Sequence, residues 1–538
     1  MATEPDQSAA PEQPAGRSPS TGDARIGRSW FILVALALGV AMDAFDATVV
    51  SVANPSIAAD LQTSLPELQW VANGYLLATA VFLITAGKLG DRFGHKRIFL
   101  MGLAGFSVSS VLVGLSTNIE LLILWRVLQG ACGSVLMPTG LALVSFVFPP
   151  DKVKMAIGTF TGSFALFAAA GPVLGGVVVE YAGWQWAFFL NVFIGAASFV
   201  LVSVLVPRLK AEGAARPFDV PGIALLTVFL LGLVWGVIEV PAYGWGGAYP
   251  LIGFGAAVVS GALFVLRERS TSGPLIPPRL FAIPTVAAGT VILFIAGGLM
   301  YATYFYVALY MQEIRSATPL EAGLGLILVP VSFAVGAPLG GALNQRFGPR
   351  FAVAVGLLFL GVSMFGLSRL VIGASYAAVW PFVLALGLGS GLVAPTATQA
   401  VIAYAPRELT GITSGITQTA QFVGAVFGIA TLGSLISARV NSALPGLLGS
   451  AGVTGPTADR VAEARTVIAQ GVVPVPPGTP DSAVPAITSA AHAAFMTGFR
   501  FATLVGAIVV VAAILLVPLV RAVPSAAHDA PGGRPVAG

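Results

Sequence analysis

The sequence predicts an all-α integral membrane protein with 14 transmembrane helices arranged 6 + 2 + 6, on three observations. The first is composition: of 538 residues, 56% are hydrophobic and only 9% charged, with a mean hydropathy of +0.90. A soluble domain carries about 25% charged residues, so this chain cannot cover a surface with polar groups and lipid must be its solvent. The second is run length, because the apolar stretches match the roughly 20 residues that a helix needs to cross a bilayer. The third is an internal repeat whose spacing separates two halves by two extra helices.

The first six spans fall near 30–53, 69–87, 98–116, 121–143, 155–179 and 186–206. Two more lie near 221–240 and 249–266, and the last six near 284–311, 321–342, 351–371, 377–402, 411–437 and 499–520. The 64 Gly and 37 Pro sit largely inside these runs, as they do in transmembrane helices. Residues 1–29, rich in Pro, Ala and Ser with Glu4, Asp6, Glu12 and Asp23, read as a disordered tail and not as a signal peptide, which would open with basic residues. The predicted organisation is a six-helix bundle over 30–207, an inserted helix pair over 208–280, a second six-helix bundle over 281–521 and a tail over 522–538. A long loop over 438–498 interrupts the second bundle. Within it, Thr457 to Gln470 can form a short amphipathic helix, and the loop is either a cap or a tolerated insertion, the insertion being favoured.

The repeat is local and specific. The turn after span 2 reads from Gly87 to Arg97 as GKLGDRFGHKR, and the turn after span 10 reads from Gly341 to Arg350 as GALNQRFGPR. Leu, Arg, Phe and Gly recur at Leu343, Arg346, Phe347 and Gly348. Span 2 therefore corresponds to span 10, an offset of eight where a plain six-helix duplication gives six, so spans 7 and 8 are the insert. Two related halves around a midplane site are the usual build of a secondary transporter.

Orientation follows from the basic residues. With both termini in the cytoplasm, 20 of the 27 Lys and Arg, all five lysines among them, fall on that side. This obeys the positive-inside rule and predicts a multi-pass protein of the cell inner (plasma) membrane. The net charge of +4 is too small to suggest nucleic acid. His95, His492 and His528 form no ligand cluster and Cys132 is alone, so no metal site and no disulfide is expected.

Three ionisable residues lie clearly inside spans: Asp43, Asp46 and Arg126. Such groups are costly in hydrocarbon and mark function. Asp43 and Asp46 are three residues apart on span 1 and are expected on one helix face. Arg126 is the natural counter-charge, since a guanidinium stays protonated when buried. A carboxylate that alternates between pairing with arginine and taking a proton is a proton-coupling element, and Asp46 is the first candidate. Asp43 either shares that role or draws cationic ligands from an outer vestibule. Glu239, beside Pro241, reads as an interfacial residue of the insert.

These motifs resemble the major facilitator superfamily, in its fourteen-helix drug:proton antiporter branch. Gly87, Gly90, Asp91, Arg92, Gly94, Lys96 and Arg97 match the family's signature loop, whose aspartate caps a neighbouring helix and latches the cytoplasmic side. Arg126 sits in a match to the span-4 motif linked to proton transfer, and Asp46 to Val50 with Pro55 match the span-1 motif of that branch. Gly171-Pro172 with Gly175 and Gly176, preceded by Gly158 and Gly162, resembles the span-5 antiporter motif of exporters. The chain departs from the pattern at Ser51 and Asn54, at Gln185 between two tryptophans, at Phe193 and at Gln421-Phe422, and Gln345 replaces the second-copy aspartate. The lost arginines weaken any case for an anionic substrate.

The resemblance implies a major facilitator fold and proton-driven export of bulky amphipathic, planar aromatic antibiotics, giving resistance. Neither an enzyme nor a cofactor is implied, the proton gradient being the energy source, and the partners are the drug, protons and membrane lipids, with the protein acting as a monomer. An ATP-driven pump is disfavoured, since the sequence has no phosphate-binding GxxxxGK[ST] loop. Export of a lipid, siderophore or other metabolite competes, and an uptake symporter fits less well with the Gly-Pro motif. Candidate ligand contacts are Asn73, Gln129, Phe164, Tyr301, Phe305, Gln418 and Gln421. The aromatic run of span 9 either stacks on a planar ligand or forms an interfacial belt, the two being equal for Tyr310 and stacking being favoured for Tyr301.

Overall fold

The computed structural model describes residues 21–207, 219–271, 274–406, 409–475 and 479–521. Most of the predicted tail over 1–29 and all of that over 522–538 lie outside the described residues, while α1 already begins at Thr21. Every regular element among them is helical. The chain runs through α1 (Thr21–Leu61), α2 (Leu65–Phe93), α3 (His95–Gly114), α4 (Ile119–Gly133), α5 (Leu136–Val147), α6 (Pro150–Ala182) and α7 (Trp184–Leu205). It continues as α8 (Val220–Tyr243), α9 (Ala248–Ser270), α10 (Pro284–Leu309), α11 (Pro319–Leu326), α12 (Leu328–Phe347) and α13 (Pro349–Leu367). The last helices are α14 (Tyr376–Tyr404), α15 (Thr410–Ser450), α16 (Pro456–Glu463), α17 (Arg465–Ile468) and α18 (Val484–Ile514). Among the described residues, 13 helical segments are long and apolar enough to cross a membrane, α4–α5 and α11–α12 each counting as one. The 29-residue α2 packs between α4 and α15.

Local chemistry sets the ends of these helices. Ser64 and Glu67 form a capping box before α2, with the Ser64 N–H donating to Glu67 Oε2 at 2.6 Å, and Thr318 and Glu321 do the same for α11. Each box satisfies backbone donors that a helix start leaves unpaired. Asp219 caps α8, its carboxylate accepting from the Gly222 N–H at 2.9 Å, and also accepts from Arg267 at the end of α9. That ties the α8–α9 pair together at one end. Gly94 and Gly348 turn α2 into α3 and α12 into α13 at φ of +90° and +84°, a backbone region that residues with a Cβ avoid.

The sequence repeat has a structural counterpart. Lys96 Nζ donates to the carbonyls of Ser203 and Val206 at 2.8 and 2.6 Å, so it caps the C-terminus of α7. Arg350, at the equivalent place in the second copy, donates to the Val520 carbonyl at 2.8 Å, just past α18. Arg92 lies 5.3 Å over the Phe93 ring and Arg346 lies 5.2 Å over Phe347. Each turn thus pins the last helix of its own set to the third. We call the face of these two turns the basic face.

At the other face the chain departs from the expected loop over 438–498. Helix α15 runs to Ser450 and α18 starts at Val484, because both helices keep apolar partners beyond the predicted spans, with Leu444, Leu448, Ile487 and Phe495 buried. The expected helix over Thr457–Gln470 is broken at Ala464 into α16 and α17. It is no loose insertion: Val461, Ile468 and Ala469 are fully buried, and Gln470 Nε2 donates to the Thr63 carbonyl between α1 and α2 at 2.9 Å.

Lys96→Ala and Arg350→Ala should each lower the apparent melting temperature in detergent by a similar amount. A charge-assisted cap in a solvated position is worth about 1 kcal/mol, and Lys96→Arg should restore most of it.

Candidate functional site

Asp46 and Arg126 meet in the interior of the first set of helices, 0% and 1% exposed, with Arg126 Nη1 donating to Asp46 Oδ2 at 2.5 Å. Withdrawing both charges from water costs several kcal/mol per ion, and the pair repays this only if its remaining donors and lone pairs are also satisfied. They are. Gln129 Oε1 accepts from Arg126 at 2.6 Å, while Gln129 Nε2 and Asn191 Nδ2 donate to Asp46 Oδ1 at 2.9 and 2.8 Å. Both amides also donate to Ser110 Oγ at 2.8 and 2.9 Å, and Arg126 Nε donates to the Val71 carbonyl at 3.2 Å. The guanidinium carbon lies 4.2 Å above the Tyr75 ring, a cation–π contact that strengthens away from water. Ser110, Asn191 and Tyr75 were absent from the sequence-derived set. Their signal is that of lone polar groups inside apolar spans, which no spacing rule ties to Asp46.

The two aspartates do not face the same space. Three residues along a helix turn it by about 300°, and the remaining offset suffices to send Asp46 into the bundle while Asp43 borders a central cavity. The phenol of Tyr75 donates to Asp43 Oδ1 at 2.5 Å. The cavity encloses about 1480 Å³ with its open mouth and is walled by both sets of helices. Thr48, Thr79 and Phe164 contribute from the first set, and Tyr301, Tyr304, Phe333, Gln418, Gln421 and Phe422 from the second. Among the described residues, Asp43 is the single charged one in this lining.

Four expected ligand contacts, Phe164, Tyr301, Gln418 and Gln421, therefore stand in the wall. Three others are placed elsewhere. Gln129 is committed to the ion pair. Phe305 is 3% exposed and packs on Tyr306, since the cavity face of α10 continues from Tyr301 to Tyr304 and not to Phe305. Asn73 is fully buried, with neither amide atom hydrogen-bonded. Tyr310 is also buried, stacked 5.7 Å from Phe499, and so belongs to neither an interfacial belt nor the cavity.

The span-5 glycines divide into two groups. Gly171 and Gly175 lie against Thr48 and Val49 of α1. A Cβ at Gly176 would stand 2.7 Å from the Pro319 carbonyl oxygen, and one at Gly323 would run into the carbonyl of Pro172. Here α6 and α11 touch backbone to backbone, as small residues allow. Further cross-set bonds lie toward the same face, from Leu320 N to Glu180 Oε2 at 3.1 Å, from Gln312 Nε2 to the Val52 carbonyl at 3.1 Å and from Gln69 Nε2 to Tyr306 Oη at 2.8 Å. Toward the basic face, a Cβ at Gly158 or Gly162 would meet nothing within 4 Å. The helices close at one face and part toward the other.

In the signature loop, Asp91 is 70% exposed and pairs with His95 of its own turn at 3.2 Å, Lys96 is spent capping α7, and Arg97 is exposed. A Cβ at Gly90 would collide with His95, and Gly87 lies within α2. Gln185, where the family pattern has arginine, donates with Trp184 to Asp60 at the end of α1.

A multi-pass membrane bundle, two sets of helices around a cavity closed at one face, is the build of a transporter. The chain belongs to the Major Facilitator Superfamily, whose model matches residues 36–429. It is 40% identical over 506 residues to the tetracenomycin C resistance and export protein of Streptomyces glaucescens, covering 93% of this chain and 94% of that protein. The multidrug efflux pump LfrA of Mycolicibacterium smegmatis is 31% identical, with 91% and 96% covered, and the methylenomycin A resistance protein of Streptomyces coelicolor is 30% identical, with 75% and 85% covered. A crystal structure of a bacterial homolog of the human lysosomal transporter Spinster shares the fold, with a TM-score of 0.64 at 18% identity over 94% of this chain and 98% of that one.

Removing Asp46 strands a buried guanidinium, so Asp46→Asn should cost about 3–5 kcal/mol and be visible as loss of folded protein in detergent. Asp43→Asn, at the cavity wall, should leave the melting temperature near that of the wild type. In the seam, Gly176→Ala should favour opening of the closed face by about tenfold, the effect of roughly 1–3 kcal/mol of overpacking, while Gly158→Ala and Gly162→Ala should be silent. Labelling of a cysteine placed at Thr48, in a Cys132→Ser background, by an impermeant thiol reagent added at the closed face reads the difference.

Proposed function

We propose that the chain is a proton-driven secondary exporter, a drug:proton antiporter, of bulky amphipathic compounds, planar aromatic antibiotics among them, and that it gives resistance to them. The observation that carries this reading is the cavity: aromatic and amide walls from both sets of helices, closed at one face, with one carboxylate in the lining. Rings such as Tyr301, Tyr304, Phe333 and Phe422 suit offset stacking on a planar ligand, each contact adding about 0.5–1.5 kcal/mol beyond burial. The names of the relatives support the same class of substrate. With Asp43 as the only charge among the described residues of the wall, the ligands best accommodated are neutral or cationic.

In this reading α2 joins the 13 membrane-capable segments to make fourteen, arranged 6 + 2 + 6, with α8 and α9 as the insert and bundles over 30–207 and 281–521. The basic face, carrying Arg92, Lys96, Arg97, Arg346 and Arg350, is cytoplasmic, as are both termini, and the membrane is the plasma membrane. The structure then corresponds to a cavity open to the cytoplasm with its outer seam shut. Asp43 takes and releases the proton at the cavity wall, while the sealed Asp46–Arg126 pair supplies the electrostatic backing. The protein acts as a monomer without a cofactor. Proton entry releases about 2.3 kcal/mol per charge per 100 mV of membrane potential, enough for one proton to drive a neutral drug outward.

The test is proton movement in acidified inside-out vesicles when a planar aromatic antibiotic is added. The wild type should alkalinise the lumen, and Asp43→Asn should not. No response to a broad panel of aromatic drugs would overturn this reading in favour of lipid, siderophore or other metabolite export.

A further inference from the structure

We infer that Tyr75 is the positioning residue through which the charge on Asp43 acts on the buried Arg126–Asp46 pair; the inference rests on the proton-driven export proposed above. One ring touches both charge centres: its hydroxyl donates to Asp43 Oδ1 at 2.5 Å, and its face lies 4.2 Å from the Arg126 guanidinium carbon. The geometry of Asp43 is constrained from the far side as well. A Cβ at Gly133 would stand 2.6 Å from Asp43 Oδ1, so the carboxylate occupies the space that glycine leaves on α4. The titratable and charged groups facing Asp43 are Tyr75 on α2, Asp46 on its own helix, Arg126 on α4 and Tyr301 on α10. Of these, Tyr75 alone is hydrogen-bonded to it.

Charge on Asp43 changes what Tyr75 offers to Arg126. With the carboxylate ionised, the phenol donates a charge-assisted hydrogen bond, its ring becomes richer in electrons and the cation above it is held more firmly. When Asp43 takes a proton from the cavity, the acceptor becomes a neutral carboxyl and both contacts weaken together. Arg126 is gripped by α2 at a second point, the Val71 carbonyl, one turn before Tyr75. The same helix carries Gln69, six residues or about 9 Å before Tyr75, whose amide bonds to Tyr306 Oη across the closed seam. Tyr306 in turn donates to the Ile429 carbonyl. Loosening Arg126 from α2 therefore frees the helix that holds the seam.

The experiment compares wild type and Tyr75→Phe in proteoliposomes, with doxorubicin as the planar aromatic probe. It measures exchange without a pH gradient, accumulation driven by a pH gradient, and the pH midpoint of accumulation. Phenylalanine keeps the ring and its edge contact with Phe106, 6.5 Å away in the wild type, and removes only the hydroxyl. Tyr75→Phe should exchange drug within about twofold of wild type. Driven accumulation should fall about tenfold and its pH midpoint rise by about one unit, the worth of one hydrogen bond to a charged group. Unchanged accumulation and midpoint in Tyr75→Phe would overturn the inference alone, as would loss of exchange together with accumulation, which marks a merely structural tyrosine. A wild type that exchanges doxorubicin without moving protons, or moves neither, would overturn the export reading and this inference with it.

Discussion

Asp46 and Arg126 impose the constraint on which the first set of helices depends. Neither can be left alone in a lipid-embedded interior, and their mutual attraction does not by itself repay desolvation. The protein meets the difference by converging polar groups from five helices: Asp46 from α1, the Val71 carbonyl from α2, Ser110 from α3, Gln129 from α4 and Asn191 from α7. Helix packing and charge satisfaction are one problem here. A helix that slides by a turn leaves a buried ion with an unmet partner, so the network fixes register in a bundle whose core is otherwise largely apolar.

That rigidity contrasts with the junction between the two sets of helices. The cavity has a wall of aromatic rings and neutral amides, with one carboxylate, and the seam at its closed end is made of backbone contacts at Gly176 and Gly323 with a few single hydrogen bonds. Contacts of this kind are individually modest, and they lie between rigid units and not within them. The buried, unpartnered amide of Asn73 carries a desolvation cost of about 1–3 kcal/mol, as does that of Asn54. Hydration would relieve both. A seam that is easily made and easily broken, beside an ion-pair network that is not, suits a protein that rocks between two closures.

Much of this was legible in the chain. Charge poverty and run length give the membrane helices, and the recurrence of Leu, Arg, Phe and Gly around Gly94 and Gly348 announces the two-fold plan that the Lys96 and Arg350 caps embody. The pairing of Asp46 with Arg126 was legible because lipid leaves a lone buried charge so few partners. The reach of α15 and α18 was not, because hydropathy marks where lipid ends and helices continue wherever they find protein to pack on.

The sequence by itself determined which residues must be buried and which ions must be paired, because those follow from one-dimensional chemistry: transfer energies, helical period and charge. Which way each side chain faces was decided only in three dimensions. A 60° difference around α1 separates Asp43 at the cavity from Asp46 in the core, and the roughly 100° between neighbouring residues of α10 puts Tyr304 and not Phe305 in the wall. Tyr75, Ser110 and Asn191 enter the site through neighbours 19 to 145 positions away in the chain. Helical period alone leaves such rotations open by a whole apolar face, and only the packing of all the helices at once removes that freedom.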